Sequence, residues 1–76
     1  MLEAFVLVQT DVRTGAKVAR EVESVPGVRR SHCVTGPYDV VARTSTGDLE
    51  ELGRLVDEIQ KIPGVTRTLT CPVIRV

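Results

Sequence analysis

Apolar residues follow two kinds of pattern along this chain of 76 residues, short β-type runs and helical stripes. The run AFVLVQ (residues 4–9) is apolar and β-branched, which is typical of a strand. Three further strands are predicted at residues 28–35, 38–44 and 65–76. Two segments between them repeat apolar residues at helical spacing. The first stripe is Val18, Val22 and Val25, and the second is Leu49, Leu52, Val56 and Ile59.

Both predicted helices have start and stop signals. Thr14 is a candidate N-cap of the first, where a side-chain hydrogen bond contributes about 1 kcal/mol. The second opens at residues 45–48, and nearby acids suit the positive end of its dipole: Asp48, Glu50 and Glu51. A Pro-Gly-Val segment ends each helix, at residues 26–28 and 63–65, because the residue before proline leaves the helical region and glycine turns the chain. The chain thus has two similar halves joined by TGPYD, residues 35–39.

The predicted order β-α-β-β-α-β is that of the split βαβ, or ferredoxin-like, fold. Right-handed crossovers place the first and third strands in the centre of a four-stranded antiparallel sheet, with both helices on one face, which makes an α+β sandwich. A sheet covered on one face alternates apolar and polar residues. Here Ala4, Val6 and Val8 point one way, and the apolar Phe5 and Leu7 point the other. A second apolar face needs a covering layer, so the sequence predicts a homodimer or larger αβ assembly.

Composition narrows the functional classes. A chain of this length forms one domain, residues 1–76, and buries about 60% of its unfolded surface, so its stability is expected to need help. Ten Lys and Arg residues balance ten Asp and Glu residues, which leaves no net charge to attract nucleic acid. The apolar N-terminal run is far shorter than the roughly 20 residues that span a bilayer, and no basic segment precedes it. We therefore expect a cytoplasmic protein with no membrane partner.

The titratable residues give little indication of a catalytic, cofactor or metal site. Cys33 and Cys71 form no CxxC motif and accompany a single histidine, His32, so neither a zinc site nor a disulfide framework is indicated. The predicted topology puts the cysteines on opposite sheet edges, roughly 14 Å apart, whereas a disulfide requires Cα atoms within about 7 Å. His32 and Cys33 point to opposite faces of one strand and cannot form a dyad. With no glycine-rich phosphate loop, the sequence predicts neither an enzyme nor a bound cofactor.

The joint TGPYD has two interpretations. Gly36 and Pro37 suit a tight hairpin between the second and third strands, with Asp39 satisfying backbone donors near the turn. Alternatively, these residues clamp a small zwitterion, with the Asp39 carboxylate and the Tyr38 phenol near its ammonium group and backbone N–H groups at its carboxyl. A pocket of this kind needs walls from a neighbouring subunit.

The chain resembles the ligand-binding (RAM) domain of the Lrp/AsnC family of bacterial and archaeal transcriptional regulators. The resemblance covers nearly the whole chain and rests on the joint, on the two Pro-Gly-Val segments and on a Thr-rich last strand with Thr66, Thr68 and Thr70. It implies dimers that pair through their sheets, commonly an octamer of four dimers, and amino-acid effectors bound between dimers. By the same resemblance, the effector loop contains Thr35, Gly36, Tyr38 and Asp39, and the neighbour's contacts come from Thr68 and Thr70.

Two features depart from the family pattern. Full-length relatives carry an N-terminal helix-turn-helix, whereas the first strand here begins near Glu3. The resemblance therefore implies a stand-alone module that senses an amino acid and co-assembles with a full-length relative. In the loop, Pro37 stiffens the turn and offers no N–H. The alternatives are a structural assembly domain and a dimeric ferredoxin-like enzyme whose pocket is not recognised.

Overall fold

The computed structural model describes residues 1–75 and contains the predicted elements in the predicted order. They are β1 (Leu2–Thr10), α1 (Gly15–Glu23), β2 (Val28–Cys33), β3 (Val40–Thr46), α2 (Leu49–Gln60) and β4 (Val65–Pro72). The strands form one antiparallel sheet in the order β2-β3-β1-β4, which puts β1 and β3 in its centre. The α+β, ferredoxin-like fold expected from the sequence is confirmed.

The core lies between the two helices and one face of the sheet. On that face β1 contributes Ala4, Val6 and Val8, all fully buried, and β3 places Val40 and Ala42 beside them in register. The helix residues of the same cluster are Val18, Ala19, Val22, Leu55 and Ile59. Full burial of one Val, Leu or Ile side chain contributes about 1.5–3 kcal/mol, so this cluster is the main source of stability.

The two Pro-Gly-Val segments pack against the helices in an equivalent way. Gly27 and Gly64 have φ values of 98° and 99°, in the left-handed region that glycine adopts without strain. A Cβ at Gly27 would lie 2.7 Å from Leu55 Cδ1, and one at Gly64 would lie 3.2 Å from Val18 Cγ2. Val18 on α1 and Leu55 on α2 are equivalent positions, since each lies eight residues before the proline that ends its own helix. Gly27, in the first half, therefore packs against α2, and Gly64, in the second half, packs against α1.

The backbone links the halves in the same way. The Gly27 carbonyl accepts the Ser45 N–H at 2.9 Å, and the Gly64 carbonyl accepts the Asp11 N–H at 2.8 Å. In each case the donor belongs to the other half of the chain. The repeat seen in the sequence is therefore a structural pseudosymmetry, in which each half completes the other.

The two helices begin differently. Thr14 occupies the N-cap of α1, as predicted, but its backbone is helical (φ −110°, ψ 0°) and its side chain does not make the expected capping bond. Its hydroxyl instead donates to the Asp11 carbonyl at 2.8 Å. Asp48, with an extended backbone, caps α2 by accepting the Glu51 N–H at 2.9 Å. Glu51 in turn accepts the Gly47 N–H at 2.9 Å, an arrangement close to a capping box.

Strand boundaries also differ from the prediction around the joint. β2 ends earlier, at Cys33, and β3 is displaced toward its C-terminus and runs from Val40 to Thr46. The residues between them are drawn into a loop held by β1, as described below. β4 ends at Pro72, whose nitrogen cannot donate to the ladder. The predicted end of the last strand, Val76, lies outside the described residues.

Candidate functional site

The joint TGPYD belongs to the loop between β2 and β3. The Val34 N–H donates to the Asp39 carbonyl at 2.8 Å, which closes the loop at its base. Gly36 has φ 138°, and a Cβ placed on it would find nothing within 4 Å. Thr35 and Gly36 are exposed, whereas Tyr38 and Asp39 are half-buried. The loop is thus wider than the expected tight hairpin, and its tip projects into solvent.

Asp39 fastens this loop to the end of β1. Its backbone N–H donates to the Val8 carbonyl at 2.9 Å, and its carboxylate Oδ2 accepts the Thr10 backbone N–H at 2.8 Å. The register of β1 shifts between Gln9 and Thr10, which accompanies the turn of the Thr10 N–H toward Asp39. The Gln9 side chain also donates to the Pro37 carbonyl at 3.0 Å. A carboxylate has about four lone-pair sites and Thr10 uses one, so Asp39 keeps the capacity to accept from a ligand.

A depression of about 530 Å³ opens beside Asp39. Its wall also includes Arg13, the α1 residue Gly15, Cys33 at the end of β2, and Val34, which follows it. Arg13 has φ 67°, a left-handed conformation that is uncommon in a residue with a side chain and that clusters at functional sites. Asp39 and Arg13, residues of opposite charge, therefore border one open space, a combination that suits a zwitterionic ligand.

Thr68 and Thr70 lie on β4, away from the loop. They pair in register with Val8 and Val6 of β1, on the side of the sheet that the helices cover. The Thr68 hydroxyl accepts a hydrogen bond from Gln60 of α2 at 2.9 Å. Because β1 lies between β4 and β3, one chain brings the four loop residues of the predicted site together but not the two threonines.

The partners of the loop on and after β1 were missed by the sequence analysis. They are Gln9 and Thr10, which bond to the loop, and Arg13, which lines the same depression. Their positions depend on the register shift at the end of β1 and on the left-handed backbone at Arg13. Neither has a sequence signal, since polar residues at a strand end are equally typical of any solvated turn.

The sheet face opposite the helices is open. It presents an apolar strip made of Phe5, Leu7, Val41, Leu69 and Cys71. Phe5 is 42% exposed and Leu69 44%, although both lie on strands of the sheet. Beside the strip, Arg30 and Arg43 are paired in register and both exposed. The second apolar face predicted from β1 is therefore present, with a basic margin toward β2.

The histidine and the two cysteines lie at separate places on the sheet. His32 lies opposite Val41 in register on the open face, whereas Cys33 Sγ lies 3.3 Å from the position of a Gly15 Cβ on the helix side. Cys33 and Cys71 are free, on strands at opposite edges of the sheet. Within residues 1–75, no three His, Cys, Asp or Glu side chains are grouped so as to hold a metal ion. No helix of that region is long and apolar enough to cross a bilayer.

Known proteins share this domain in two different contexts. The model of the family described as Lrp/AsnC ligand binding domain matches residues 3–76. An uncharacterised HTH-type transcriptional regulator of Pyrococcus horikoshii is 35% identical over 71 residues, covering 88% of this chain and 47% of the regulator. A homocitrate synthase of Sulfurisphaera tokodaii is 32% identical over 76 residues, covering 97% of this chain and 16% of the enzyme. The chain thus spans about half the length of this regulator and a small part of the enzyme.

Solved structures share the fold. A Thermus thermophilus crystal structure superposes with a TM-score of 0.93 at 35% identity, covering 100% of this chain and 96% of the other. That protein chain is accordingly of nearly the same length. A Neisseria meningitidis transcriptional regulator, solved as a complex with L-Met, superposes with a TM-score of 0.83 at 22% identity, over 97% of this chain and 50% of that one. At that identity the likeness establishes the fold alone.

Proposed function

The chain belongs to the Lrp/AsnC ligand-binding domain family, and from that membership we propose that it is an oligomeric regulatory module that senses a free amino acid. The observation that carries the proposal is the position of Asp39. The Thr10 N–H fixes its carboxylate at the edge of a depression that Arg13 also borders. A carboxylate held in place by a backbone donor is pre-organised, so it can accept from an ammonium group with little loss of side-chain entropy.

The proposed binding mode assigns each loop residue a contact. The ammonium group of the amino acid binds Asp39, and its carboxylate takes the backbone N–H groups of Gly36 and Tyr38. Pro37, between them, has no N–H to offer. The Tyr38 ring is half-buried at the base of the loop and packs against the ligand, and the Thr35 hydroxyl lies within the same loop. The neutral composition of the chain is compatible with a small zwitterion as effector.

Thr68 and Thr70 enter this proposal from a neighbouring chain. β4 is an edge strand, so its free side is available for approach to a second chain. Because the two threonines are remote from the loop of their own chain, their contribution requires an assembly in which one chain's β4 adjoins another's loop. Effector binding and assembly would then be coupled.

The same proposal includes a homodimer formed through the open sheet face. Phe5 and Leu69 expose more than two-fifths of their surface there. Full burial of an exposed side chain of this size contributes about 1.5–3 kcal/mol, and covering the exposed part of Phe5 or Leu69 contributes less than half of that. A twofold axis counts every contact of an isologous interface twice. Four such dimers in a ring make the octamer that the family resemblance implies.

The proposed output is protein–protein association in the cytoplasm, without direct contact with DNA. Co-assembly with a full-length relative is supported by the regulator that shares this domain over 47% of its length. A second candidate is regulation of a biosynthetic enzyme by association, which the match to a homocitrate synthase favours. In both cases the chain supplies the effector response and its partner supplies the activity.

A thermal-shift panel of the proteinogenic amino acids tests the sensing proposal. A ligand at about 100 times its Kd adds about 2.7 kcal/mol of stability, so we expect at least one amino acid to raise the melting temperature by several degrees. Sedimentation equilibrium on the same sample reports the assembly. If no amino acid raises the melting temperature at millimolar concentration while the oligomer is intact, the sensing proposal is wrong. A stable monomer at micromolar concentration would contradict the dimer.

A further inference from the structure

A groove separate from the effector loop runs between α2 and the turn that joins α1 to β2. Its volume is about 330 Å³, and it lies at the C-terminal end of β3, whereas the loop adjoins the N-terminal end. Val25, Pro26 and Leu55 make its apolar lining, and Leu55 is 4% exposed. A volume of this order is at the lower end of the range of small-molecule sites.

The two pseudosymmetric halves differ in the side chains that lie at this groove and at its counterpart. At the equivalent place in the second half, a Cβ on Gly64 would meet Thr14 Oγ1 at 3.1 Å, so the Thr14 side chain fills that corner. Glu51 holds the equivalent of the Thr14 position on α2 and also lines the groove, where its carboxylate accepts the Gly47 N–H at 2.9 Å. At Gly27 the nearest atom to such a Cβ is Leu55 Cδ1, at 2.7 Å, so a leucine of the groove lining takes the place that a threonine has in the other half.

Three charged side chains of α2 line the groove, Glu51, Arg54 and Glu58, and the last two lie one helical turn apart. Arg54 and Glu58 have i,i+4 spacing, which separates Cβ atoms by about 5–6 Å. Their own ion pairs are weak, since Arg54 lies 3.5 Å from Glu50 and Glu58 lies 4.0 Å from Lys61, with all four side chains largely exposed. Exposed pairs of this kind add little stability, so a ligand displaces them at small cost.

We propose that this groove is a second small-molecule site, for an α-amino acid with an aliphatic side chain. The ligand carboxylate pairs with the Arg54 guanidinium, whose planar donors match a carboxylate in a bidentate geometry. The ammonium group pairs with Glu58, and the aliphatic side chain lies on Leu55 and Val25. One chain supplies all of these contacts, so the site does not depend on the assembly or on the effector loop.

The test is a titration of isotope-labelled protein with L-leucine, followed through backbone amide NMR shifts. The Asp39→Asn variant serves as a second sample, because it removes the charge on which the loop site depends. We expect leucine to shift the Gly27 and Leu55 amides in both proteins. Isocaproate, which is leucine without its ammonium group, should bind this groove more weakly than leucine.

A matched pair of variants then assigns the contact. Arg54→Gln should weaken the groove titration about tenfold, the effect expected when a charge-assisted hydrogen bond to the ligand is lost. Lys17 holds the equivalent position on α1, so Lys17→Gln removes a charge of the same sign at the pseudosymmetric site and should leave the titration unchanged. Both residues are exposed, and thermal melts confirm that the variants fold.

Three results would overturn the proposal. The first is the absence of shifts at Gly27 and Leu55 at millimolar leucine. The second is a response confined to the loop and lost in Asp39→Asn, which would leave the effector proposal standing alone. The third is an equal affinity for leucine in Arg54→Gln and the wild type, or an equal loss in Lys17→Gln.

Discussion

Replacing Asp39 separates its structural contribution from its proposed role in binding. Asp39→Ala removes both the negative charge and the acceptor of the Thr10 N–H, which donates at 2.8 Å in a partly buried setting. Asp39→Asn removes the charge and keeps a carbonyl oxygen that can accept the same bond. A hydrogen bond to a charged group contributes about 1.5–3 kcal/mol and a neutral one about 0.5–1.5 kcal/mol. Because Asp39 is half-buried, we expect the low end of the first range, about 1.5 kcal/mol lost in Asp39→Ala and roughly half of that in Asp39→Asn.

Urea unfolding at fixed protein concentration measures both changes, since the concentration sets the stability of an oligomer. In thermal melts, 1 kcal/mol corresponds to about 4–8 °C for a domain of this size. The amino acid that stabilises the wild type should stabilise neither variant, although Asp39→Asn retains most of the fold's stability. Equal stabilities for the two variants would refute the argument that the Thr10 bond supports the loop. An undiminished effector response in Asp39→Asn would refute the carboxylate clamp.

Three further substitutions test the sheet face and the backbone. Leu69→Glu on the open face should dissociate the proposed dimer, as measured by sedimentation equilibrium. The control is Leu49→Glu, which changes a leucine on α2 that is 69% exposed and should leave the dimer intact. Equal sedimentation of the two variants would contradict the interface. Gly53→Ala should raise the free energy of unfolding, measured with urea, by about 0.5–1 kcal/mol, because Gly53 is inside α2 and a Cβ there meets nothing within 4 Å. A loss of stability would show that the backbone at Gly53 is constrained. Gly27→Ala should lower the free energy of unfolding by about 1–3 kcal/mol, since the φ of Gly27 is 98° and the new Cβ would lie 2.7 Å from Leu55. An unchanged free energy of unfolding would mean that the turn relaxes freely.

The fold was predictable because its signals are periodic and repeated. Two helical stripes, each closed by Pro-Gly-Val, fixed the element order, and the handedness of crossovers then fixed the strand order. The apolar residues on both sides of β1 indicated an open sheet face, which the exposure of Phe5 confirms. These features depend on short-range spacing that is visible in one sequence.

The candidate site was predictable only in part. Thr35 to Asp39 were located from their motif, but the bonds that fix the loop come from Gln9 and Thr10, across the sheet. Those bonds depend on a register shift in β1 that no local pattern encodes. The missing capping bond at Thr14 has a similar cause, since a capping side chain needs an extended backbone, and the turn before α1 holds Thr14 in a helical conformation.

The strand order has a consequence for how the molecule folds. β1 is the first strand of this domain to be synthesised, yet it lies in the centre of the sheet and pairs with β3 and β4, the last two. The Leu7–Leu69 pair closes nearly the whole length of the chain, so the contact order is high and folding is expected to be slow for a domain this small. Until β4 has been made, the AFVLVQ segment keeps one unpaired edge, and its Phe5 and Leu7 face is not covered by a helix. The newly made chain is therefore most prone to aggregate through its first strand, which makes that strand the natural target of a chaperone during synthesis.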